Sequence, residues 1–204
     1  MKRVVIVGGG IIGFSCALNI VQKLTNVVSV TLITEKCSPE TTSDVAAGIV
    51  YPYLCGDIPT EKLNKWVKDS TDHFLSLLNS TIASEVGVNL ISGYALYEKN
   101  IIDEKMFETL ISSRKMSDKE LKLFSKSNDT FDGYFQTTLT VEATKLLPYY
   151  QKLFIEKGGT IRVQKVHKLE HLVDEFDVIV NCTGIGAREF VSDSTVYPIR
   201  GQVM

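Results

Sequence analysis

The hydrophobic positions mark out the elements before any motif is considered. Val4-Val5-Ile6-Val7 is an unbroken apolar run, too short for a helix and right for a strand buried on both faces. Ile12, Cys16, Ala17, Ile20, Val21 and Leu24 then recur at helical spacing, and Val28–Thr34 alternates as a strand does. Leu63, Trp66, Val67, Phe74, Leu77 and Leu78 predict a helix over Glu61–Leu78, with Trp66 in the core. Val88–Tyr97 reads as a strand with an irregularity at Gly93. Ser117-Asp118-Lys119-Glu120 has the form of a capping box and predicts a short helix through Phe124. Phe131–Val141 is β-rich, and Glu142–Lys157 is helical, stopped by Gly158-Gly159. Strands are expected at Thr160–Val166 and Phe176–Val180.

This order predicts an α/β protein. A Rossmann-like nucleotide domain is formed by residues 1–50 and 142–195, with an α+β insertion over 51–141 between its halves. Residues 196–204 are read as the start of a strand returning to the inserted domain.

The turn Gly8-Gly9-Gly10-Ile11-Ile12-Gly13 sits between the first strand and the first helix, where a dinucleotide-binding βαβ unit carries its GxGxxG. Gly8 permits the turn, Gly10 lets a pyrophosphate approach the backbone, and Gly13 lets the helix pack on the strand. Glu35 ends the second strand 22 residues beyond Gly13, close to the spacing of about 20 expected for a carboxylate that binds ribose hydroxyls. The same acid disfavours a 2′-phosphate. The plainer alternative is a glycine turn in an ordinary α/β domain, with Glu35 a solvated charge.

Residues 36–48 are rich in hydroxyls and small side chains, which suits a surface loop or a phosphate-binding loop equally well. Asp177–Gly186 is a buried strand ending in a glycine-rich turn, where Thr183 can donate to a cofactor and Gly184 can lie against it.

Composition removes several classes. Net charge is −2 over 204 residues, with no basic stripe for nucleic acid. Cys16, Cys37, Cys55 and Cys182 are too dispersed for a disulfide framework, and no CxxC pair suggests a metal. That usage fits a reducing, intracellular compartment. Lys2-Arg3 before an apolar stretch imitates a signal peptide, but the glycine spacing explains those residues better. No apolar run has membrane-spanning length.

Several stretches together resemble the D-amino-acid oxidase family. They are Thr41-Thr42-Ser43-Asp44-Val45-Ala46-Ala47-Gly48 with Pro52, Leu90-Ile91-Ser92-Gly93-Tyr94, Arg114-Lys115-Met116, Asn181–Gly186, Ala187-Arg188-Glu189-Phe190, and Tyr197 through Val203. The resemblance covers the N-terminal part of a family member, so the chain reads as truncated at the C-terminus. It implies FAD rather than NAD, held by Gly8, Gly10, Ile11, Ile12, Gly13, Glu35, Lys36, Thr41, Thr42, Ser43, Ala47, Gly48, Ile49, Val166 and Thr183. Val50 and Tyr51 are implied near the flavin, in the substrate pocket. The implied reaction is oxidative deamination of a D-amino acid, of the D-aspartate type or neutral. Molecular oxygen is the second substrate, and a 2-oxo acid, ammonia and hydrogen peroxide are the products. The carboxylate-clamping arginine of the family is expected beyond Met204. Arg162, Arg188 and Arg200 are not assigned that role, and no catalytic residue or metal ligand is named. Implied surroundings are peroxisome or cytoplasm, with no membrane or nucleic-acid partner and a homodimer as candidate assembly. Two alternatives stay open, an FAD- or nucleotide-binding chain without turnover and a glycine- or sarcosine-oxidase-like enzyme. A strand at Tyr197–Met204 without its neighbours is expected to expose an edge prone to aggregation.

Overall fold

The computed structural model describes residues 1–99, 104–124, 131–199 and 201. In chain order the elements are β1 (Lys2–Val7), α1 (Ile11–Lys23), β2 (Val28–Thr34), α2 (Thr60–Leu78), α3 (Ala83–Val86), β3 (Val88–Glu98), β4 (Ser112–Lys115), α4 (Asp118–Leu121), β5 (Phe131–Val141), α5 (Ala143–Glu156), β6 (Thr160–Val163), β7 (Val178–Asn181) and α6 (Ala187–Phe190). Short 3-10 turns occur at Thr42–Val45, Glu104–Thr109, Leu169–Leu172 and Gly184–Gly186. The elements fall into two compact units, Met1–Ala47 with Glu142–Met204, and Gly48–Val141.

The first unit is built on a parallel sheet in the order β6-β2-β1-β7. Parallel strands need cover on both faces, and β1 shows why its apolar run is unbroken: Val4 through Val7 are each 5% exposed or less. One layer is α1 with α5, joined by an edge-on contact of Phe14 with Phe154 at 6.5 Å between ring centres. On the other face, Val5, Val7 and Ile33 pack with Leu172 and Phe176. Strand alternation assigns Val4 and Ile6 to the helical side.

α5 ends in a Schellman arrangement. Gly159 N–H bonds to Phe154 O and Gly158 N–H to Ile155 O, both at 2.9 Å. β6 stops at Val163, short of the expected Val166. Gln164 N–H still reaches Thr34 O at 2.8 Å, and the chain then leaves the sheet. β7 starts at Val178, because Phe176 is drawn into the core and Asp177 N–H bonds back to Arg3 O at 2.8 Å.

The second unit has an antiparallel sheet in the order β3-β5-β4. β3 and β5 pair continuously from Val88↔Val141 to Glu98↔Phe131, and Gly93 sits in register opposite Gln136. The expected irregularity at Gly93 is therefore absent. Phe107, Tyr97 and Tyr134 form an aromatic cluster, with Phe107 and Tyr134 centred 4.6 Å apart. The capping box is formed, with Ser117 N–H donating to Glu120 Oε2 at 2.8 Å. Its helix ends at Leu121, and turns carry the chain to Phe124. Glu120 also pairs with Arg114 at 2.7 Å, so that cation serves the fold.

Trp66 is not core. It is 48% exposed, with Lys62 Nζ 4.8 Å from its ring centre. The partly buried stripe of α2 runs Leu63, Val67, Thr71, Phe74 and Leu78. Trp66 lies one position off that stripe, among exposed Lys65–Asp69 and Lys68–Asp72 pairs. Tyr197–Ile199 form no strand; Arg200 and Gln202–Met204, the remainder of that expected strand, lie outside the described residues. No helix among the described residues is long and apolar enough to cross a membrane.

Phe154, fully buried at the α1–α5 contact, and Trp66 make a contrasting pair. Phe154→Ala is expected to lower stability by about 3–5 kcal/mol. Trp66→Ala is expected to cost about 1 kcal/mol or less. Urea titrations followed by circular dichroism measure both, independently of the one tryptophan's fluorescence.

Candidate nucleotide site

The site begins where β1 ends. Gly8 has φ +119°, and a Cβ there would overlap the carbonyl oxygen of Cys182, so only glycine lets the ends of β1 and β7 lie this close. A Cβ on Gly13 would in turn overlap the carbonyl oxygen of Gly8. Helix α1 thus rests its first turn directly on the backbone of the turn that feeds it. The chain passes from β1 to β2 on one side, while β7 pairs on the other. That reversal is the switch point at which open parallel sheets bind ligands.

A cleft of about 520 Å³ opens there. Of the sequence candidates, Gly8, Gly10, Ile11, Ile12, Glu35, Lys36, Thr41, Thr42, Ser43, Val166 and Thr183 line it. Gly13 and Ala47 lie in the same unit but outside the lining. Gly48, Ile49, Val50 and Tyr51 belong to the second unit, where they are tied to its sheet. Gly48 O accepts from Val141 N at 2.8 Å, Ile49 bridges to Thr140, and Val50 N–H bonds to Leu139 O at 2.9 Å. Thr138 Oγ1 donates to Val50 O at 2.5 Å, and the Tyr51 and Tyr97 hydroxyls lie 3.1 Å apart. Burial, with the Tyr97 hydroxyl beside it, pushes the Tyr51 phenol well above its ordinary value.

The lining also includes Thr34, Glu40, Gln164, Lys165, His167, Ile185, Gly186, Glu189 and Phe190, which the sequence reading did not select. Gln164, Lys165 and His167 flank Val166 just past β6. The strand-end rule applied to β1 and β7 reaches them when it is applied to β6 as well.

Several polar groups of the cleft are already engaged in holding its walls. Ser43 Oγ accepts the first free N–H of α1, from Ile11, at 3.0 Å. Asp44 gathers its own turn, accepting from Thr41 N at 2.9 Å, Thr41 Oγ1 at 2.6 Å and Ser38 Oγ at 2.6 Å. Thr34 Oγ1 donates to Lys36 O at 2.7 Å and shapes the turn after β2. Glu35 Oε1 lies 3.3 Å from Lys165 Nζ, with both side chains about half exposed. Thr183 gives both its N–H and its Oγ1–H to Asn181 Oδ1, at 3.1 and 2.7 Å. Both Thr183 groups thus tie the turn after β7 to Asn181. α1 has no acidic residue in its first turn, so the positive end of the helix is not neutralised from within.

Burial opposes the Asp44 charge, but the hydrogen bonds from Ser38 and Thr41 outweigh it and hold the carboxyl below its ordinary value. A carboxyl lowered on folding stabilises the native state above its unfolded value, near 3.9. That contribution is lost as pH falls through the lower folded value. Asp44→Asn is therefore expected to flatten the acid side of the stability profile between about pH 5 and pH 2, measured by thermal melts across that range.

The family described as FAD dependent oxidoreductase matches residues 3–204. Human D-aspartate oxidase is 36% identical over 99% of this chain and 59% of its own length. A Dugesia ryukyuensis D-amino acid oxidase is 31% identical over 99% of this chain and 60% of its own. Among solved structures, glycine oxidase from Bacillus cereus aligns with a TM-score of 0.63 over 94% of this chain and 58% of that one, at 14% identity. The chain thus spans about three-fifths of the length of the relatives it matches. With the glycine turn, the switch-point cleft and the match over nearly every residue in agreement, this chain belongs to the family of FAD-dependent oxidoreductases.

Proposed function

We propose that this chain forms the FAD-holding part of an oxidase that deaminates D-amino acids, with D-aspartate as the favoured substrate. The observation that carries the reading is the 36% identity to human D-aspartate oxidase over 99% of the chain. The cleft fits the cofactor. The start of α1 offers N–H groups and a positive helix end to a pyrophosphate. A Cβ on Gly10 would come within 3.0 Å of Ser43 Oγ, so any side chain there would fill the cradle. Glu35, at the end of β2, has the acceptor oxygens that ribose hydroxyls require, and the backbone at Val166 is offered to the adenine.

When bound, FAD supplies hydride acceptance from the substrate α-carbon and passes the electrons to oxygen. The residues of the chain position and desolvate. Gly8, Gly10 and Ile12 would hold the phosphates through backbone, and Ile11, whose N–H goes to Ser43 Oγ, would border them. Lys36 and Thr41–Ser43, which line the cleft, would help hold them, with Asp44 fixing the turn. Thr183 would sit against the cofactor. On the family resemblance, Ala47, Gly48 and Ile49 are further cofactor contacts, and Val50 and Tyr51 belong to the substrate pocket. The expected products are a 2-oxo acid, ammonia and hydrogen peroxide.

A second reading, cofactor binding without turnover, is favoured by the arginines. Among the described residues, Arg3, Arg114 and Arg162 pair with Asp177, Glu120 and Glu175, and Arg188 donates to Val196 O at 2.7 Å. All four guanidinium groups are committed to the fold rather than to a substrate carboxylate.

The visible spectrum of the purified protein, before and after anaerobic D-aspartate, tests the proposal. Flavin bands that bleach are expected. Bands that persist with D-aspartate, D-alanine and sarcosine alike favour the second reading, and bleaching by sarcosine alone favours an amine oxidase. Absence of flavin after reconstitution removes the cofactor assignment. Glu35→Ala is expected to weaken FAD binding tenfold or more, about 1.5–3 kcal/mol for a hydrogen bond to a charged group, read by flavin fluorescence titration.

A further inference from the structure

We propose that Lys165 is a positioning residue for the cofactor: it orients the Glu35 carboxylate for the adenosine ribose and offsets that acid's charge beside the pyrophosphate. The inference rests on the FAD reading of the cleft and deepens it at the ribose end. Lys165 and Glu35 both line the cleft, and Lys165 Nζ donates to Glu35 Oε1 at 3.3 Å. The pair joins segments 130 residues apart. The Lys65–Asp69 and Lys68–Asp72 pairs, by contrast, join neighbours one turn apart along α2.

Thr34 pins the backbone beside both partners. Its carbonyl accepts from Gln164 N–H, on the residue before Lys165, at 2.8 Å. Its hydroxyl donates to Lys36 O, on the residue after Glu35, at 2.7 Å. Thr34 is itself 6% exposed and fills the space at Gly9, where a Cβ would stand 2.7 Å from its hydroxyl oxygen. On the other side of Lys165, Val166 packs against the core of Val5, Val7, Ile33, Leu172 and Phe176. The lysine and the acid thus extend from two fixed backbones. This matters for an acid that serves a nucleotide. A half-exposed glutamate has rotamer freedom to lose before it can take a ribose hydroxyl. The bond from Lys165 holds Oε1 and leaves Oε2 for that donor. An acid also repels the pyrophosphate that the start of α1 attracts, and an ammonium in contact with it cancels the charge at short range. Partial exposure of both side chains keeps the effect modest.

Lys165→Met keeps the aliphatic stem and removes the charge. It is expected to weaken FAD and ADP alike by about two- to fivefold, with the loss shrinking as salt is added. Flavin fluorescence reads FAD and calorimetry reads ADP, which carries ribose and pyrophosphate without flavin. Lys165→Arg should restore binding. In a Glu35→Ala background Lys165→Met is expected to change nothing, because the lysine acts through that acid. An equal loss with and without Glu35 overturns the proposal, since a direct contact of Lys165 with phosphate gives that result. Unchanged or tighter binding by Lys165→Met also overturns it, as an idle pair or one that competes with ribose would give. So does a loss indifferent to salt, which marks damage to the fold. A wild-type protein that binds neither ligand ends the cofactor reading with it, whereas wild-type binding with any of the other adverse results ends this inference alone.

Discussion

The structure depends on three backbones meeting without side chains between them. Gly8 brings the end of β1 against the Cys182 carbonyl, and Gly13 brings α1 against the Gly8 carbonyl. A methyl group at either position would separate strand from strand or helix from turn. The cleft exists because this packing leaves the start of α1 pointing into the gap between diverging connections. The later walls of the cleft, from Thr41–Ser43, Gln164–His167 and Thr183–Gly186, are arranged around that fixed point.

Much of the fold was legible because its signals are local. The periods of β1, α1, β5 and α5 are clean, and each element formed within a residue or two of its expected bounds. The glycine turn was legible because its spacing has a steric reason. Trp66 was misread because helical spacing identifies a stripe only to within one position, and the tryptophan falls just outside it. β6 and β7 were displaced by tertiary demands. Phe176 went to the core, and residues after Val163 left the sheet to border the cleft. Residue type alone gives no sign of either.

The candidate site shows a second limit. A sequence shows which residues carry hydroxyls but not what those hydroxyls are bonded to. Ser43 reaches the α1 N-terminus and Thr183 reaches Asn181, so both hold the cleft walls in shape. Lys165, the counter-charge to Glu35, arrives from the segment just past β6, far along the chain, and had no local signal.

The sheet order sets a sequence of events during synthesis. β1 finds β2 a short helix later, but its other edge waits for β7, across some 174 residues of chain. Until Val178–Asn181 emerge, the nascent βαβ unit carries one buried-type strand with an open edge and an unfinished anion cradle. Long-range parallel pairing of this kind is slow. An exposed apolar edge is also a risk while it lasts. The cleft is therefore completed late on this topology, and the longest-lived hazard in folding lies at the same strand whose end borders the candidate nucleotide site.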